Sequence, residues 1–406
     1  ARRNPKTAHY WQLAFGKRDT EELYDIKKDP DCMVDLAGKP EYELLKRRME
    51  KEMTARLVEQ EDPRMFGRGR QFDYYPDMSG AYQFWNRTKA GEKVPSGWIS
   101  ETDFEPVASG LRSGWSSENE AEFRIQDFEQ RQHPDVMAKV NKTNGYSLLD
   151  NATGIVARKD RVLFIKVGET GGDTLRIKIQ NLDCPNGDGY ENGSSYYLLH
   201  EGMNRIIPEN DGLVYVLFHT RGETTGKKVR IHFLTGEVNG YFDIKKHKAS
   251  QWRTLLDKAT YKYFDVLGEY THLTFPVESF RQYTPDGKAL VEVFDRIVAL
   301  EHEFMGLNKY TDKQFKNRQY CHVVNKGYMY APNYRTAYGV STMEKVCDID
   351  KLIGIALWGP AHEIGHINQI RPGAKWHGMT EVTNNIYCLY VQDAFGMTTR
   401  LQKEVE

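Results

Sequence analysis

His362-Glu363-Ile364-Gly365-His366-Ile367-Asn368-Gln369, followed downstream by Trp376-His377-Gly378-Met379-Thr380-Glu381-Val382-Thr383-Asn384-Asn385, decides how the chain is read. Two His four residues apart share one face of an α-helix, so both rings reach one cation. Glu363 stands about 100° round the same helix, where it touches a water held by the cation without being a ligand. Zn2+ suits this set, because it takes imidazole ligands, has no redox chemistry and keeps a position open for water. The metal draws the pKa of that water towards about 7, and the carboxylate takes its proton. One zinc per chain is the expectation.

A third ligand is needed. The turn-rich Arg371-Pro372-Gly373-Ala374 lets the chain reverse. A second helix, capped by Thr380 or the residue before it, then holds Glu381 near its start. His377 competes and would make a three-His site; Glu381 is favoured because a helix fixes a side chain better than a loop. Asn385, one turn after Glu381, can orient a ligating His through its other ring nitrogen. Pro360 either opens the first helix or bends a longer one that begins at Leu352.

Working outward, Tyr328–Gly339 is aromatic and extended. It reads either as a core strand or as an edge strand that pairs with an extended substrate. A group that stabilises the oxyanion is also required, and Tyr330, Tyr338, His377 and Tyr387 are candidates. With Asn333 and Trp376 they make up the substrate-contact candidates. Trp358 and Trp376 either stack on sugar rings or pack into the core.

Upstream, the spacing from about Ser117 to Lys248 changes to period two. Leu175, Ile177 and Ile179 alternate with Arg176, Lys178 and Gln180, and Val229, Ile231 and Phe233 with Arg230 and His232. Gly212–His219 is a near-continuous apolar run, as in a central strand. Short strands between Gly/Asn/Asp turns predict a β-sandwich. After about Ala249 helical spacing returns: Trp252, Leu256, Ala259 and Tyr263 share one face, and Leu290, Phe294, Ile297 and Phe304 another, in a helix that starts near Pro285-Asp286. Near the N-terminus, Leu45, Met49, Met53 and Leu57 form one stripe on a charged helix that Pro40 can open.

The 406 residues carry 56 Lys+Arg against 57 Asp+Glu, a net charge of −1, which argues against nucleic-acid binding. A mean hydropathy of −0.67 and no apolar run near 18 residues argue against a transmembrane segment. Hydrophobic residues at 39% and aromatics at 12% supply ample core. The five Cys include no CxxC, and an odd number leaves at least one unpaired within the chain. The chain starts at Ala1-Arg2-Arg3 without Met or leader pattern and ends soon after an apparent helix, so it reads as a piece of a longer protein.

HEIGHINQ at His362–Gln369 with the downstream Trp376…Met379-Thr380-Glu381-Val382-Thr383-Asn384-Asn385 resembles the M60-like, enhancin-related zinc metallopeptidases. Phe123-Arg124-Ile125, Asn141-Lys142-Thr143 with Tyr146–Gly154, and Asn204–Val216 extend that resemblance over about 118–406. It implies a gluzincin with His362, His366 and Glu381 as zinc ligands, Glu363 as acid/base, and Tyr328–Gly339 at the cleft edge. It further implies endopeptidase action on glycoproteins, O-glycosylated mucin-type substrates among them, and a secreted, cell-surface or periplasmic protein. Trp11–Lys17, Glu22–Pro30 with Asp35-Leu36-Ala37, and Asp62-Pro63-Arg64 to Trp98-Ile99 resemble instead the C-terminal subdomain of a sulfatase, a long helix over a short antiparallel sheet. No sulfatase C/S-x-P-x-R motif is present, so no active-site residue of that family transfers.

The expected architecture is therefore α+β and multidomain: a sulfatase-like subdomain at 1–106, a β-sandwich-like domain at 107–248, and a mainly helical gluzincin-type domain at 249–406, incomplete at its C-terminus. The expected function is zinc-dependent endopeptidase. The alternatives are a glycan- or glycoprotein-binding module with an inert peptidase part, and the remnant of a sulfatase. Oligomeric state is not legible.

Overall fold

A computed structural model describes residues 8–10, 16, 18–60, 62–66, 122–185, 188–310, 312 and 314–405. Contacts divide the chain into two units, Ala1–Gln71 and Phe72–Glu406. In the first, helix α1 (Glu43–Glu59) follows a 3-10 turn at Pro40–Tyr42. Pairs one turn apart, Arg47 with Glu43 (2.9 Å) and Arg56 with Glu52 (2.6 Å), support it. The apolar stripe is only partly covered: Leu45 and Leu57 are half-buried, Met49 and Met53 exposed. The described residues of this unit contain no strand. Most of the sulfatase-like stretches, including 67–106, lie outside the described residues.

The second unit opens with two sheets. The outer, antiparallel one runs β1 (Ile125–Glu129), β10 (Lys228–Phe233), β4 (Leu163–Val167), β7 (Gly202–Ile206). Its alternation is genuine: Val229, Ile231 and Phe233 are buried while Lys228 and Arg230 face solvent. The next sheet runs β11 (Glu237–Val238), β3 (Asn151–Ala157), β8 (Gly212–Leu217), β5 (Leu175–Gln180), β6 (Ser194–Leu199), with the apolar run of β8 at its centre. A parallel pair, β2 (Arg131–Gln132) and β9 (His219–Thr220), lies beside them.

The second sheet differs from its expected half-exposed form. Every residue of β3 is buried, and Lys178 and Gln180 of β5 are as buried as the isoleucines between them. It is a middle layer. On one side Gln126 Nε2 donates to Thr153 O at 2.7 Å, and on the other the Tyr215 hydroxyl donates to Asp265 Oδ1 of a third sheet at 2.8 Å.

That third sheet corrects the expectation of a mainly helical C-terminal part. It is six-stranded and mixed: β12 (Phe242–Asp243), β13 (Tyr263–Leu267), β14 (Thr271–Pro276), β15 (Gln319–Val324), β17 (Arg335–Gly339), β16 (Met329–Tyr330). Strands β14, β15 and β17 are parallel neighbours. Buried on both faces, these strands have no alternation to read. The helix expected through Tyr263 ends at Asp257, and Tyr263 opens β13.

Three long helices accompany this sheet. Helix α2 (Gly287–Phe304) starts where expected, its Asp286 cap accepting from Lys288 N (2.9 Å) and Ala289 N (3.1 Å). It buries Leu290, Phe294 and Ile297 and packs against α3 (Trp358–Asn368) and α4 (Thr380–Ala394). One apolar cluster runs from Phe123 to Val391, and β12 already belongs to the third sheet. The regions 107–248 and 249–406 thus share a core among the described residues.

Candidate metal centre

Helix α3 continues a helical run through a π turn at Leu352–Ala356. Pro360 lies in the first turn of α3, and the wider turn before it accommodates the hydrogen bond its nitrogen cannot make. The α-helix thus opens close to Pro360, as one of the two alternatives had it, with a π turn from Leu352 leading into it. Two close approaches fix α3. An added Cβ at Gly365 would stand 2.5 Å from Asn384 Oδ1 and 3.4 Å from Tyr387 Cβ, so α4 crosses α3 inside the His-Glu motif. An added Cβ at Gly359 would stand 2.5 Å from Met329 Sδ, so edge strand β16 lies against the start of α3.

The loop between α3 and α4 is pinned by Gln369. Its buried amide donates to Ala374 O (2.8 Å), Thr380 O (3.0 Å) and Thr383 Oγ1 (2.8 Å). The N-cap of α4 is Met379, and no side chain caps it. Asn384 Nδ2 donates to the His362 carbonyl at 2.6 Å, tying α4 to α3 at His362 itself. At the far end of α3, Asn144 Nδ2 reaches His366 O (3.1 Å) and the Tyr146 hydroxyl reaches Asn368 Oδ1 (3.0 Å).

These constraints bring three candidate ligand atoms together. His362 Nε2 and His366 Nε2 are 3.0 Å apart, and Glu381 Oε2 is 3.0 Å from the first and 3.1 Å from the second. In a tetrahedral zinc site with ligand bonds near 2.0–2.1 Å, neighbouring donors stand about 3.3 Å apart, so this near-equilateral triangle fits such an ion. His362 Nδ1 lies 3.1 Å from Asn385 Oδ1. A proton on Nδ1, donated to that amide oxygen, leaves the Nε2 lone pair facing the triangle. The mouth is open: the Glu381 side chain is 75% exposed against 17% for His362. His377 lies outside the triangle, on the exposed loop.

Glu363 is 8% exposed. Burial, with the Glu381 carboxylate adding to it, pushes its carboxyl up to about 7. Partial burial acts the same way on Glu381, but hydrogen bonding to His362 and the charge of His366 outweigh it and hold the carboxyl below its ordinary value. Burial, helped by neighbouring His362, lowers His366.

The substrate-contact candidates separate into two groups. Tyr338 is fully buried against Phe275 and Phe294, and Tyr387 is buried with its ring 4.8 Å from that of Phe304. Both are core residues, a correction to their reading as cleft groups: β17 and α4 each turn these aromatics inward. Tyr330 is half-buried, with its hydroxyl 3.3 Å from Asp188 Oδ2. Asn333 is exposed at a φ of +61° in the hairpin between β16 and β17. Trp376 is exposed, its indole nitrogen donating to Gly373 O at 2.9 Å, and Trp358 is half-buried beneath Arg400. Sequence reading missed Gln369, Asn384 and Asn144 as the residues that fix the helices. Gln369 and Asn384 stand inside the motif stretches, which is the one signal that could have pointed to them.

Residues 237–406 match the family model of Peptidase M60, enhancin and enhancin-like. No curated protein matches the chain. Among solved structures the chain is similar to a metallopeptidase in complex with Tn antigen (28% identity, TM-score 0.64, 70% of this chain and 54% of that one). It is also similar to a metallopeptidase from Bacteroides thetaiotaomicron (27%, 0.63, 72% and 50%). A third is a functionally unknown conserved protein from Bacillus anthracis str. Ames (27%, 0.60, 69% and 58%). The chain thus spans little more than half the length of these proteins. None of these matches supports the likeness of residues 1–106 to a sulfatase. Among the described residues no helix is long and apolar enough to cross a membrane.

Proposed function

We propose that this chain is an M60-type zinc endopeptidase, a gluzincin, that cuts the polypeptide of glycoproteins, O-glycosylated mucin-type substrates among them. The observation that carries the reading is the triangle of His362, His366 and Glu381 with Glu363 buried beside it. The family match over 237–406 and the neighbour in complex with Tn antigen support the substrate class.

His362, His366 and Glu381 would hold one Zn2+, a Lewis acid that polarises the scissile carbonyl and acidifies water. Asn385 keeps His362 in the tautomer that offers Nε2. Glu363, buried beside the triangle without belonging to it, is placed both to take a proton from the attacking water and to hand it to the leaving amine. Edge strand β16 runs along the start of α3, and its outer side has no strand neighbour among the described residues, so an extended polypeptide can pair there. Such substrates put the enzyme outside the cytoplasm, secreted or at the cell surface or in the periplasm.

The test is mass-spectrometric mapping of cleavage sites on mucin, before and after deglycosylation, with Glu363→Ala as control. Cleavage beside glycosylated residues by wild type and none by the variant is expected. Equal cleavage by Glu363→Ala would sink the mechanism, and cleavage indifferent to deglycosylation would sink the substrate class.

A further inference from the structure

Edge strand β16 is two residues long, and so short a strand is marginal without outside support. Its neighbouring side chains point to opposite faces. Met329 meets Gly359 of α3, and Tyr330 turns the other way, its hydroxyl 3.3 Å from Asp188 Oδ2. Asp188 caps the short helix Gly189–Asn192, which belongs to the β-rich part of the chain.

Asp188 is held in turn by Arg335, the first residue of β17. The Arg335 side chain is 1% exposed. Its Nη2 donates to Asp188, Nη1 to Glu191 at 3.0 Å and Nε to His322 Nε2 at 3.1 Å, and the guanidinium lies 4.1 Å from the Tyr190 ring centre. His322 is an acceptor here: its Nδ1 faces Val323 O at 3.0 Å, and burial holds the ring neutral, down to about 3. Tyr334, in the same hairpin as β16, hydrogen-bonds Glu191. Two of the three groups that accept from the guanidinium, Asp188 and Glu191, also touch the β16–β17 hairpin, through Tyr330 and Tyr334.

We propose that Asp188 and Arg335 are positioning residues of the cleft, holding edge strand β16 so that its free side can pair with an extended peptide. The β-rich part then contributes directly to peptide binding through one loop. The role rests on the endopeptidase reading for its consequence, and on geometry alone for the anchoring.

The test uses the full chain with two variants, Asp188→Asn, which keeps the helix cap, and Tyr330→Phe, which removes only the hydroxyl. Amide hydrogen exchange at 329 and 330 should rise about tenfold in Asp188→Asn while residues 362–366 stay unchanged. On a synthetic peptide carrying one O-linked GalNAc, KM should rise about fivefold with kcat held within about twofold. The double variant should match Asp188→Asn alone, because the contact of the Tyr330 hydroxyl runs through Asp188. Unchanged exchange at 329 and 330 overturns the anchoring, whether or not the wild type cleaves. A loss in kcat at constant KM, or additive effects in the double variant, overturns the positioning role. Absence of wild-type cleavage with raised exchange in the variant counts against the endopeptidase reading only.

Discussion

The metal triangle and the Arg335 cluster are built from similar residues and behave as opposites. The triangle gathers two imidazoles and a carboxylate from two adjacent helices, at a mouth open to solvent. The cluster gathers a guanidinium, two carboxylates and an imidazole from β17, β15 and the 188–192 helix, around a fully buried arginine. In the first, three ligand atoms point at one spot. In the second, the cation belongs to the chain and its partners are arranged round it. Converging ligands make a site for something from outside, whereas a buried cation with its own partners fixes the scaffold.

The sharpest way to break this contrast is to remove the internal cation. Arg335→Met leaves the partly exposed Asp188 without its cation, and the cost expected is about 2–3 kcal/mol in urea unfolding. A loss below about 1 kcal/mol would place the cluster with ordinary surface pairs. The metal side should respond differently. Asn385→Ala leaves stability nearly unchanged but weakens zinc affinity by about 10–100-fold in chelator competition, because His362 loses the partner that orients its ring. Unaltered affinity would remove Asn385 from the site.

A smaller effect separates Arg335 from its neighbour Lys178, whose Nζ lies 3.3 Å from the Tyr190 ring centre and 3.2 Å from Tyr190 O. Burial, reinforced by the charge of Arg335, pushes Lys178 down to about 7 from the 10.5 of the free side chain. Between those values the unfolded chain binds one more proton than the folded chain, so stability rises with pH there and is flat below. Wild type should gain about 2 kcal/mol more than Lys178→Met between pH 7 and 9. Equal gains would mean that Lys178 keeps its charge in the fold.

The two regions also differ in how much of them can be read in one dimension. The spacing of His362 and His366, and a second helix beginning near Thr380, point to Glu381 over His377 and to Asn385, and in the fold Glu381 and Asn385 stand 3.0 and 3.1 Å from His362. Nothing local marks the cluster. Lys178 reads as the outward residue of an alternating strand, yet a third sheet covers that face. Arg335 stands unmarked inside the aromatic, extended stretch Tyr328–Gly339. The third sheet was itself invisible, because Tyr263–Leu267 and Gln319–Val324 are buried on both faces and carry no period. The aromatic stretch before α3 did contain the edge strand, but Tyr338 turned inward because side chains on β17 alternate about a sheet already covered on both sides.

Metal content tests the account most directly. Dialysed wild-type chain, analysed by inductively coupled plasma mass spectrometry, should carry about one zinc per chain, and His362→Ala and Glu381→Ala almost none, with thermal unfolding of the metal-free forms alike. Zinc retained at full stoichiometry in either variant would contradict the site at the centre of this account.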